Sequence, residues 1–146
     1  MSTRSRIGIQ LSDDSILSVY HHWDGYPSWL GRILQTHYNT RQKVEELIDG
    51  GDMSVCWTKE RWTNKELAPY VREIVEDEKY GPQYYSQRGE NCPPRLDKNL
   101  TEYVADGEEY AYIFNREGVW VCIDRHEFDD RKDPEVVSIP EGALAC

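Results

Sequence analysis

Residues 5–22 read SRIGIQLSDDSILSVYHH, and this stretch decides the fold. Apolar and polar side chains alternate before and after the segment Ser12–Ser15, whose residue types favour a turn. Ile7 and Ile9 fall on one face of the first run, as they would in a half-buried strand. We therefore predict a β-hairpin at the N-terminus of the domain.

Residues 109–123 contain a second pattern of the same kind. Tyr110, Tyr112 and Phe114 share one face of a strand, and Asn115–Gly118 is a typical turn sequence. Alternating β-branched residues follow the turn. This pattern predicts a second hairpin near the C-terminus.

Between and after the hairpins, the spacing of apolar residues predicts about four helices. They are expected to begin at Pro27, Asn39, about residue 69 and Asp97, with a short strand at 52–57, a long loop at 80–96 and an edge strand at 136–139. The prediction is an α+β fold with a mainly antiparallel sheet, built from the N-terminal and C-terminal hairpins, and about four helices packed on one side. Residues 1–146 are expected to form a single domain, with residues 124–146 as an acidic C-terminal extension.

The 146 residues carry a formal net charge of −10, and the charge is unevenly distributed. Residues 1–44 have five basic and three acidic side chains, whereas residues 102–146 have four basic and twelve acidic ones. Such a surface repels the phosphates of nucleic acid, which argues against direct binding to a nucleic-acid backbone. The acidic part instead favours a partner with a basic surface, including a protein that normally holds DNA.

The residues expected to contact such a partner are the carboxylates of the C-terminal third. They are Glu108, Glu109, Asp124, Glu127, Asp129, Asp130, Asp133 and Glu135. The alternative interpretation is a solvated face that gives solubility.

The segment HWDGYP at residues 22–27 is the densest in groups that bind ligands. It lies where a predicted strand meets a predicted helix, and such junctions direct side chains and helix N–H groups toward one point. The hairpin should bring the N-terminal arginines close to it. The predicted ligand-binding residues are Arg4, Arg6, His22, Trp23, Asp24, Tyr26, Arg88 and Glu90.

The apolar runs and the cysteines limit the class of protein further. No apolar run reaches the roughly 18 residues that a membrane-spanning helix needs, and four scattered cysteines without a Cys-x-x-Cys pair favour reduced thiols. We expect a cytosolic protein without a cofactor or a bound metal. A zinc site built from cysteines with His21 or His22 is the alternative.

The segments MSTRSRIGIQ at residues 1–10 and HWDGYP at residues 22–27 resemble a family of small proteins encoded by tailed bacteriophages. The resemblance continues through Tyr38-Asn39, the segments 43–48 and 51–52, Arg88-Gly89-Glu90 and the hairpin at 108–120. It implies an accessory protein that acts in the cytoplasm of an infected bacterium. It implies no activity and no cofactor.

Three functions follow from these residues. The first is a phage inhibitor that binds a host defence or nucleic-acid-handling protein through an acidic, partly nucleic-acid-mimicking surface. The second is a small-ligand or nucleotide-binding protein, sponge-like in action, that uses the HWDGYP segment. The third is a small hydrolase, in which His21 or His22 would be the general base, Asp24 its partner and Arg88 an oxyanion clamp. We assign no catalytic residue at this point.

Overall fold

The computed structural model describes residues 3–63, 71–75, 80–104, 109–124, 135–137 and 139, and it describes only the backbone of residues 63, 71, 88 and 135. Within these ranges there are ten strands. They are β1 (Ser5–Gln10), β2 (Ile16–His21), β3 (Met53–Thr58), β4 (Glu60–Thr63), β5 (Val71–Ile74), β6 (Gly81–Tyr84), β7 (Arg95–Asp97), β8 (Tyr110–Phe114), β9 (Trp120–Asp124) and β10 (Glu135–Val137).

Eight of these strands form one mixed sheet. Neighbouring strands follow the order β10-β9-β8-β1-β2-β3-β6, and β7 pairs with β2 beside β3. The remaining two strands, β4 and β5, form a separate ribbon.

The described ranges also hold three α-helices, which are α1 (Arg32–His37), α2 (Arg41–Asp49) and α3 (Leu100–Tyr103). A π-helical turn, Pro27–Gly31, leads directly into α1, and a 3-10 turn, Tyr85–Arg88, follows β6. No helix within these ranges has the length and apolar composition required to cross a bilayer.

Both predicted hairpins are present. In the first, Ile7 lies opposite Val19, and the Leu11 N–H donates to the Ser15 carbonyl to close the turn. In the second, Phe114 lies opposite Trp120. The expected strand at 52–57 is β3, and the expected edge strand at 136–139 is formed over Glu135–Val137.

The prediction of a mainly antiparallel sheet is wrong. The strand β1 pairs antiparallel with β2 but parallel with β8, so the two hairpins are joined through a parallel contact. The strand β3 likewise begins parallel to the end of β2. Both parallel contacts follow long connections, whose geometry local patterns do not specify.

The prediction of four helices on one side is also wrong. Helices α1 and α2 pack on the face that carries Ile7 and Ile9, together with Tyr112 of β8. Helix α3 lies on the opposite face, where Tyr103 packs against Ile113 and its neighbours. The sheet is therefore covered by helices on both faces.

Two local predictions fail because tertiary pairing overrides sequence spacing. The helix expected at 69–79 is replaced in part by β5, which pairs with β4; in this ribbon the Arg72 guanidinium lies 4.8 Å from the Trp62 ring centroid. The loop expected at 80–96 contains β6, the 3-10 turn and the first two residues of β7.

Gly51 gives a test of this architecture. It has φ +87°, and a Cβ there would meet the backbone carbonyl of Cys92, which accepts a hydrogen bond from Asp52. Gly118 has a similar φ of +79°, but its nearest neighbour would be Phe114 at 3.8 Å. Both Gly→Ala changes incur the left-handed penalty of about 1–2 kcal/mol.

We predict that Gly51→Ala lowers the unfolding free energy by about 1–3 kcal/mol more than Gly118→Ala, because only Gly51 is also closed in by backbone. Urea unfolding of the two variants measures the difference. Equal losses would contradict the packing described for residues 51 and 92.

Candidate functional site

The sheet brings chain segments that are far apart in sequence to one end. Ser5 lies opposite His21 on one side and Tyr110 on the other. Tyr110 in turn lies opposite Asp124, and Asp124 opposite Glu135. We call this row of strand ends, at the start of β1, β8 and β10 and the end of β2 and β9, the upper end of the sheet.

The upper end is bounded on one side by β3. This strand begins at Met53, level with His21, and continues past the end of β2. The N–H groups of His22 and Trp23 donate to the carbonyls of Met53 and Ser54, at 3.2 and 2.9 Å. The chain after β2 therefore runs along the projecting part of β3.

The loop that follows is fixed to its surroundings. The Gly25 N–H donates to the Thr3 carbonyl at 2.8 Å, and the buried Tyr112 hydroxyl donates to the Gly25 carbonyl at 2.6 Å. A Cβ on Gly25 would lie 2.7 Å from the Thr3 carbonyl oxygen and as close to Ser5, so only glycine allows this approach.

His22 and Trp23 form an aromatic pair on this loop. Their ring centroids are 4.7 Å apart with an interplanar angle of 87°, an edge-to-face geometry that favours contact between aromatic rings. Nδ1 of His22 lies 2.6 Å from the Tyr20 hydroxyl. The indole of Trp23 is 42% exposed, which is high for a tryptophan in a folded domain.

Asp24 is exposed beside this pair and has φ +55°. Aspartate tolerates the left-handed region better than most residues, but the conformation is still unfavourable relative to glycine. Within the described residues, the Asp24 carboxylate forms no ion pair and no hydrogen bond with either imidazole.

His21 belongs to the core. It is fully buried, its Nε2 accepts the Cys56 N–H at 3.0 Å, and its Nδ1 lies 3.4 Å from the Ser5 hydroxyl. This arrangement fixes a neutral ring with the proton on Nδ1. Burial, with a smaller contribution from the charge of His22, lowers the pKa of His21 to about 3. A histidine in this state packs and accepts a hydrogen bond, and it is inaccessible to a substrate.

The N-terminal arginines lie where the hairpin was expected to bring them. Arg6 is directly opposite Tyr20, and the same register places Arg4 opposite His22, one step beyond the ladder. Arg4 is exposed, whereas Arg6 is 7% exposed and donates through Nε to the Ser18 hydroxyl at 3.0 Å. Arg6 therefore helps to hold the hairpin.

Arg88 and Glu90 belong to a segment that is hydrogen-bonded to Asp52. Its carboxylate accepts the Tyr20 N–H at 2.8 Å, and its carbonyl accepts the Tyr85 N–H at 3.1 Å. This places the 3-10 turn that ends at Arg88 beside the end of β2; the side chain of Arg88 lies outside the described residues. Glu90 is exposed after this turn.

Tyr26 is half-buried, and its carbonyl accepts the N–H groups of Trp29 and Leu30 at the start of the π-helical turn.

Three of the predicted partner-binding positions meet at the upper end of the sheet. Glu109 hydrogen-bonds to the Arg4 backbone N–H, and the register brings Asp124 between Tyr110 and Glu135. Burial raises the pKa of Tyr110, and the carboxylates of Asp124 and Glu109 raise it further, so both act on the same ring. Glu108, Glu127, Asp129, Asp130 and Asp133 lie outside the described residues.

The two buried thiols, Cys56 and Cys122, are not activated as nucleophiles. Burial raises the pKa of Cys56 and of Cys122 to about 12, which keeps both protonated. Within the described ranges, no three histidine, cysteine or carboxylate side chains are grouped as ligands for a metal ion.

An open cleft of about 210 Å³ lies away from the HWDGYP loop, between α2 and β6. Its lining combines tyrosines with apolar and charged side chains, namely Tyr38, Lys43, Glu46, Leu47, Pro82 and Tyr84. None of the predicted ligand-binding residues lines it.

Sequence reasoning missed two residues that organise the loop. Tyr20 contacts His22 because alternate residues of a strand share a face, a rule that could have identified the pair. The role of Asp52 could not be inferred locally, since its partner Tyr20 is 32 residues away.

No protein-family model, curated protein or solved structure matches this chain.

The buried state of His21 predicts a pH dependence of stability. Its folded pKa of about 3 lies below the ordinary value of 6.5, so protonation favours the unfolded chain between these values. Stability is fully present above pH 6.5 and falls as the pH drops toward 3. The variant His21→Gln keeps a hydrogen-bond acceptor but has no titrating group at this position. The difference in unfolding free energy between the variant and the native chain, followed against pH, therefore isolates the protonation of His21.

We predict that the unfolding free energy of the native chain, relative to His21→Gln, falls by about 2 kcal/mol between pH 7 and pH 5. Denaturant unfolding at each pH measures this relative free energy. Between pH 7 and pH 8 it should not change, and this interval is the control. A relative stability that does not vary with pH would show that His21 is not buried in the neutral form.

Proposed function

We propose that this chain is a binding protein that recognises the basic surface of a protein partner through the upper end of its sheet. The observation that carries the proposal is the register, which aligns the exposed Trp23 loop with the acidic positions Glu109, Asp124 and Glu135. Exposed aromatic side chains are common anchors of protein interfaces, and carboxylates supply complementarity to a basic partner.

Charge at the upper end supports a basic partner. Asp124 and Glu135 occupy directly opposite backbone positions in adjacent strands, so two acidic residues are neighbours at this end of the sheet. The sequence between these two positions, residues 125–134, contains four acidic and three basic residues. Neighbouring acidic positions are complementary to a partner that presents cationic groups.

The resemblance to tailed-phage proteins supports a bacterial host protein as the partner. We propose inhibition of a host defence or nucleic-acid-handling protein, because such proteins present basic surfaces for nucleic acid. The acidic residues of the upper end would then occupy the surface of the host protein that otherwise contacts phosphates. In that sense the chain would mimic DNA. The place of action in this proposal is the host cytoplasm.

A small ligand at the Tyr20–His22–Trp23 cluster is the second candidate. The exposed indole and the exposed Arg4 would suit a nucleotide. Arg6 gives this candidate less support, since its guanidinium is buried against Ser18. The hydrolase receives the least support, because one of its two histidines is a buried core residue.

The test is capture of partners from a bacterial lysate by the native chain and by charge variants. We predict that the native chain retains a basic protein, and that adding duplex DNA releases the protein. The double variant Glu109→Gln with Asp124→Asn is expected to retain at least tenfold less of it, a loss of about 1.4 kcal/mol or more.

The matched control is the double variant Glu102→Gln with Glu117→Gln, which changes the net charge equally. Both residues are exposed, and they lie on α3 and in the turn between β8 and β9, away from the upper end. Capture should be unchanged in this control. Retention of no basic protein, or equal losses in the two double variants, would contradict the proposal.

A further inference from the structure

Trp23 and Asp24 are consecutive and exposed on a loop whose backbone is held in place, and neither belongs to the hydrophobic core. We propose that they form a receptor for one arginine side chain of the partner, with the indole contacting the guanidinium and the carboxylate accepting its hydrogen bonds. This inference rests on the proposed function, and it names the chemical group that the partner presents.

The backbone of the receptor and its indole are held in place before a partner binds. The backbone is tied to the body of the domain on both sides of Asp24, through the Trp23 N–H to Ser54 and the Gly25 N–H to Thr3. The indole is held edge-to-face with His22, and His22 is held by Tyr20. Little backbone entropy is lost when such a loop binds, and this favours affinity.

Asp24 differs from the other aspartate with positive φ. Asp14 has φ +68° in the turn between β1 and β2, where its carboxylate lies 3.4 Å from the Arg116 guanidinium. Asp24 has φ +55°, and no cation within the described residues lies at ion-pair distance from it. Unfavourable backbone conformations are over-represented at functional positions.

An arginine fits this receptor better than a lysine does. A guanidinium is planar, stacks on aromatic faces and donates two parallel hydrogen bonds to a carboxylate. An ammonium is compact and strongly hydrated, so it makes neither contact as well. Since the Trp23 site is solvent-exposed, the preference should be moderate.

The experiment compares hexa-arginine with hexa-lysine, two peptides of equal charge, by calorimetric titration of the full chain at low salt. We expect the native chain to bind hexa-arginine about threefold to tenfold more tightly. Trp23→Leu and Asp24→Asn should each reduce this ratio to near one. Asp24→Asn keeps a residue that tolerates positive φ, so the loop conformation is retained.

Asp14→Asn is the matched control, because it makes the same chemical change in the same backbone conformation; it should leave the ratio unchanged. Equal binding of the two peptides by the native chain would overturn the arginine receptor while leaving the acidic surface of the proposed function intact. A preference for arginine that persists in Trp23→Leu would likewise overturn it. Binding of neither peptide would overturn the receptor and the acidic surface together.

Discussion

The structure depends on the pairing of β1 with β2 on one side and β8 on the other. The strand β1 is buried from Ser5 to Ile9 and joins the two hairpins, although β8 begins about a hundred residues after β1. Because Ser5 is level with both His21 and Tyr110, the loop after β2 and the acidic ends of the C-terminal strands lie at the same end of the sheet. A shift of one residue in this register would move every side chain of β1 to the opposite face.

Sequence patterns were sufficient for the two hairpins. The alternation around Ser12–Ser15 and Asn115–Gly118 gave both hairpins, since strand alternation and turn chemistry act within a few residues. The patterns could not give the parallel contact between β1 and β8, the placement of α3 on the second face, or the β4–β5 ribbon. These depend on contacts between distant segments, and in Val71–Ile74 the strand pairing prevails over a helical spacing.

For the candidate site, the sequence identified the segment around HWDGYP but did not show which of its residues are buried and which are exposed. His21 and His22 are adjacent, yet strand alternation sends the first into the core and leaves the second beside Trp23. Arg6 was predicted to contact a ligand; in the structure its side chain is buried in β1 and donates to Ser18. The proposed function therefore relies on the exposed residues of the loop and on the carboxylates aligned with them.

The central claim is that the upper end of the sheet is one binding surface. The most direct measurement is amide chemical-shift mapping of the isotope-labelled chain during titration with hexa-arginine. The account predicts shifts of the amides of residues 22–24 together with those of Glu109, Tyr110 and Asp124. Shifts confined to the turns at the lower end, Ser12–Ser15 and Asn115–Gly118, or to the cleft beside α2, would contradict it.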